Sequence, residues 1–194
     1  MDRAKSKTTS RRRLTRGPNS AAAGKLDQIL RTALKSQYLA ALITLRRAVE
    51  RCPDKLWTRG APAFWHVAYH TAFYTHLYLQ TNEAAFRPWA HHRDEHQFLT
   101  SLPWPPYRPP LLGEPYTKAQ VLEYIRACEA MVAPAVDALD LCFGDSGFAW
   151  YPMCKLEHQF VNIRHVQHHA AILGARLRDA TGRGIRWVGA GEAG

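Results

Sequence analysis

The chain has 194 residues, long enough for one domain with a substantial core, and 46% of them are hydrophobic, an ordinary share for a globular protein. No apolar run approaches the ~18 residues that a membrane span needs, so a membrane partner is not expected. The net charge of +10 suggests nucleic acid, but residues 1–25 hold eight Lys or Arg against Asp2, leaving +3 for the remaining 169 residues.

Residues 1–22 therefore read as a disordered basic tail. Hardly an apolar side chain precedes Leu14, so the segment cannot bury enough surface to offset its ordering entropy. A nucleic-acid-binding arm is the competing reading, although the tail has no aromatic for base stacking. A mitochondrial presequence would need an apolar helical face that residues 1–20 lack, and a secretory signal would need an apolar run after the charges. The four cysteines, Cys52, Cys128, Cys142 and Cys154, have no Cys-x-x-Cys spacing and read as reduced thiols in a cytoplasmic protein.

The first long helix is expected from about Leu26 to Arg51. Leu26, Ile29, Leu30, Leu34, Leu39, Leu42, Ile43, Leu45 and Val49 recur at helical spacing, and Pro53 stops the run. The second opens with Pro62 at a first-turn position and continues through Phe64, Val67, His70, Phe73, Tyr74 and Leu77 to about Gln80. Residues 81–116 hold seven of the twelve prolines, which argues against a long helix and for a functional or crossing loop. Thr117 and Gln120 form a capping-box signature for the third helix, with Pro134 kinking it before a turn over Gly144–Gly147. The fourth runs from near Pro152 to Gly182, a suitable terminator.

The fold class is all-α. Four long amphipathic helices with one long Pro-rich crossover between the second and third describe an up-down-down-up four-helix bundle over residues 23–184, followed by a C-terminal tail, 185–194.

The chemistry concentrates in histidines. His165, His168 and His169 lie within five residues on the fourth helix, where His158, Asn162, His165 and His169 share a face; His66 and His70 lie on the second. Residues four apart on a helix have Cβ atoms ~5–6 Å apart, so two rings can converge on one ion at about 2.0–2.1 Å, with a third ring supplied by a neighbouring helix. One buried histidine is usually a satisfied core residue, but an i, i+4 pair facing a third across a bundle is harder to explain so. His168 lies about 100° around the helix from His169 and reads as a neighbour or an orienting group. The run His91–His96 reads as a solvated loop. Glu157 and His158 are candidates for a general base by position alone.

Arg164-His165-Val166-Gln167-His168-His169 resembles the last-helix signature of the DinB-like superfamily of metal-binding four-helix bundles, where a His-x-x-His-His run is followed by Arg-Gly-Gln. Phe64-Trp65-His66-Val67-Ala68-Tyr69-His70 is similar to that family's second-helix motif, which closes on one ligand histidine. The resemblance covers about residues 25–182. It departs at Ala170-Ala171-Ile172, which stand where Arg-Gly-Gln is usual, and His66 offers a competing ligand one turn from His70.

The resemblance implies metal ligands at His70, His165 and His169, with His70 preferred as central to the apolar seam. It also implies hydrolase-like or thiol-dependent transfer or isomerisation chemistry on a small-molecule substrate, with a thiol cofactor in the second case. Three neutral imidazoles leave open coordination positions and suit zinc first and nickel next. The alternative is a non-catalytic binding module whose tail contacts nucleic acid or an acidic partner. Six Trp and eight Tyr make a homodimer plausible.

Overall fold

The computed structural model describes residues 18–142 and 144–191; the expected basic tail lies almost wholly outside them. Among the described residues the chain is all-helical, with five α-helices, a 3-10 turn at Glu83–Ala85, no strand, and one isolated bridge between Asp145 and Cys154. None of the helices is long and apolar enough to cross a membrane.

Helix α1 spans Pro18–Arg51. It starts eight residues before the expected Leu26, because Ala21-Ala22-Ala23 are strong helix formers needing no apolar stripe to propagate. A four-residue helix, α2 (Asp54–Trp57), follows; its Trp57 is buried and donates its indole N–H to the carbonyl of Tyr116 at 2.8 Å. Pro62 falls just before the N-cap Ala63 of α3 (Phe64–Tyr78) rather than in its first turn.

Helix α3 is also not amphipathic as expected, since twelve of its fifteen residues are buried. The segment joining α3 to the next helix covers the face that would otherwise meet water. His92 and Phe86 pack on Phe73, and the tyrosine hydroxyl of Tyr69 lies 2.6 Å from His92 Nδ1.

Helix α4 (Lys118–Ala138) begins with the full capping box: Gln120 N–H donates to Thr117 Oγ1 and Thr117 N–H to Gln120 Oε1. Pro134 lies inside it. Helix α5 (Lys155–Thr181) starts three residues after the expected Pro152, with Cys154 at the N-cap, and ends at Gly182, whose φ of 72° is the left-handed conformation that glycine tolerates best.

Helices α1 and α3 each pack against both α4 and α5. Arg46 pairs with Glu129 at 2.9 Å between α1 and α4, and Tyr38 donates to Gln159 Oε1 at 2.7 Å between α1 and α5. His76 Nδ1 meets the Tyr124 hydroxyl at 3.0 Å between α3 and α4, and Asn162 donates to the Thr75 carbonyl between α3 and α5. The segment after Gly182, read from sequence as a tail beginning at 185, lies along α1. Arg51 donates to the Gly184 carbonyl and Gln37 to that of Gly189, while the Gly191 N–H donates to Ser36. A side chain at Gly191 would collide with Leu39.

Candidate metal centre

Helix α3 carries His70 at the middle of its length, and α5 carries His165 and His169 one turn apart on the side that faces α3. One nitrogen from each of the three rings lies within 4.8 Å of the others, and the group could hold a metal ion. His70 Nε2 and His165 Nε2 are 3.0 Å apart, and the ring centroids lie 4.6–5.1 Å from one another.

The protonation states follow from the partners. His70 Nδ1 lies 2.6 Å from the carbonyl oxygen of Gln97, which only accepts. Nδ1 therefore carries the proton, and in the neutral ring the lone pair sits on Nε2, facing His165. Burial drives the His70 pKa well below the ordinary histidine value, helped by His165. Burial and then His169 push His165 down to about 3, and burial with His168 pushes His169 down to about 4. All three rings are neutral at pH 7, the form that ligates metals.

The donor set fits a borderline divalent cation. Bonds of about 2.0–2.1 Å at tetrahedral angles put ligand nitrogens roughly 3.3 Å apart. The 3.0 Å pair is close to that value, and the His169 nitrogen, within 4.8 Å of the other two, would have to draw closer to complete the set. The Nδ1 atoms of His165 and His169 are buried without a protein partner, whereas His70 has the carbonyl contact that orients ligand imidazoles.

The triad opens onto a cavity of about 790 Å³. Its walls come from α3 (Phe73, Tyr74, Leu77), the α3–α4 connection (Phe98, Trp104) and the loop before α5 (Trp150, Tyr151).

The other singled-out residues fall elsewhere. His66 is buried, stacked on Trp65, with Nε2 2.9 Å from the His96 carbonyl, so it is held away from the triad as a satisfied core residue. His168 is exposed and meets His169 edge-on at 5.0 Å. Glu157 is exposed, and His158 is fully buried outside the cavity wall, so neither position is that of a general base for this site. The run 91–96 is only partly solvated: His96 is buried, and the next residue, Gln97, supplies the carbonyl that orients His70. Nothing in the sequence marked Gln97, because every residue carries a backbone carbonyl.

No family model, curated protein or solved structure matches the chain.

Proposed function

We propose that this chain is a DinB-like metal-dependent enzyme, with His70, His165 and His169 binding one divalent transition metal, zinc first and nickel next. The observation that carries the reading is the convergence of three neutral imidazoles from two helices at the wall of a large aromatic cavity. The long helices are inferred to form an up-down-down-up bundle with the Pro-rich segment crossing between α3 and α4. In support, Arg31 meets Val136 while Arg46 meets Glu129, as for antiparallel α1 and α4; Tyr38 meets Gln159 while Arg51 lines one cleft with Leu177 and Thr181, as for parallel α1 and α5. Thr75 with Asn162, His70 with His165 and Pro62 with Arg176 run oppositely along α3 and α5.

A bound divalent ion would supply Lewis acidity toward a carbonyl, a thiol or a water molecule, which suits hydrolase-like chemistry or thiol-dependent transfer and isomerisation on a small molecule. The chain's own part is to hold and to exclude. The Gln97 carbonyl fixes the tautomer and ring plane of His70, and Tyr74 packs against both His70 and His165 at centroid distances of 4.8 and 5.8 Å. A ligand covering the aromatic walls would displace water and strengthen electrostatic interactions at the site.

The test is elemental analysis of untagged wild type and of the His165→Ala/His169→Ala variant. The expected result is about one equivalent of metal, lost in the variant while far-UV helicity persists. Absence of metal from both proteins after incubation with Zn²⁺ or Ni²⁺ would sink the reading.

A further inference from the structure

The cavity beside the triad has a one-sided chemistry. Among the described residues neither Lys nor Arg lines it, and Glu83, which is exposed, is the sole carboxylate that does. A phosphate or a second anionic group would find no cation among these described residues apart from a metal on the triad. The aromatic walls are, by contrast, unusually open. Trp104 and Trp150, from two separate segments, are each 49% exposed. Phe98 meets Trp104 edge-on at 5.3 Å, and Trp150 meets Phe148 at 5.5 Å and makes a long 3.4 Å hydrogen bond to the Tyr78 hydroxyl. Large half-exposed rings flanking a cavity are apolar surface left for a ligand to cover.

Resting on the metal-site reading above, we infer that the cavity takes an aromatic molecule without phosphate or a second charged group. The ligand presents one metal-binding oxygen or sulfur to the triad. Its ring lies between Trp104 and Trp150. The aromatic faces provide offset or edge contacts to the ring.

Two probes isolate the ring. Benzohydroxamate and acetohydroxamate carry the same chelating group and the same N–H, and differ in phenyl against methyl. Each is titrated calorimetrically into the zinc-loaded full chain, with metal content measured on the same samples. Benzohydroxamate is expected to bind at least about tenfold tighter. In the Trp104→Ala/Trp150→Ala variant, whose changes fall on half-exposed side chains, the two affinities should come within about twofold of each other. Equal affinities of the two probes for metal-loaded wild type overturn the aromatic-ligand inference and leave the metal site standing. A chain that retains no zinc overturns the metal-site reading, and this inference falls with it.

Discussion

His158 shows what a single buried ring costs. It is fully buried on α5, enclosed by Tyr78, Phe148 and Tyr151 at centroid distances of 4.8–5.1 Å, and neither ring nitrogen has a hydrogen-bond partner. One turn earlier the buried Lys155 ammonium donates to the carbonyls of Thr81 and Ser146. Burial, and then this cation, push the His158 pKa down to about 4. The unfolded chain binds a proton there near pH 6.5 and the folded chain does not until near pH 4, so acid favours unfolding. The contribution to stability is present above pH 6.5 and is lost as pH falls toward 4. His158→Phe removes the titrating group and keeps a ring in the cage. Urea unfolding at pH 7 and pH 4.5 should show a pH-dependent loss about 2 kcal/mol smaller in the variant than in wild type. An identical loss in both would show that His158 does not carry this acid sensitivity.

At the scale of elements, the best-defined boundary is the start of α4. Thr117 Oγ1 accepts from the Gln120 N–H at 3.2 Å, and Gln120 Oε1 accepts from the Thr117 N–H at 2.9 Å. Thr117→Ala should lower stability by about 1 kcal/mol, read as a lower denaturant midpoint with an unchanged slope. A midpoint equal to wild type would mean that packing alone sets this end. That boundary was legible because capping is a contact between residues three apart, and the Gly182 stop and the i, i+4 histidines were legible for the same reason. Helix α3 was not. Its apolar residues run nearly all round, and only the non-local cover of the α3–α4 segment explains why that is stable. Between His66 and His70 the apolar seam favoured His70 as the more central. Hidden were the two carbonyls, of His96 and Gln97, that His66 Nε2 and His70 Nδ1 meet, which no side-chain pattern encodes. The segment 185–191 carries too little periodicity to announce that it lies along α1.

For the whole molecule, the triad joins two helices that are otherwise held by modest contacts. The polar links between α3 and α5 are long, with Asn162 to Thr75 and Gln159 to Tyr78 both at 3.4 Å. Apolar packing supplies the rest. A metal on His70, His165 and His169 would bind the folded chain, where the rings converge, far better than an unfolded chain in which they are 95 and 99 residues apart in sequence. Ligation of this kind stabilises by mass action, ~2.7 kcal/mol when free metal is about 100 times its dissociation constant. In a chain of this length each kcal/mol moves the melting temperature by about 2–4 °C, so zinc loading should raise it by roughly 5–10 °C over the chelator-stripped protein. The His165→Ala variant should melt at one temperature with or without zinc, because two remaining rings no longer select the folded state. Scanning calorimetry of the four samples decides the matter. A zinc-dependent rise that survives in the variant would place the metal elsewhere on the chain, and no rise in wild type would leave the three histidines as a packing feature of the α3–α5 interface.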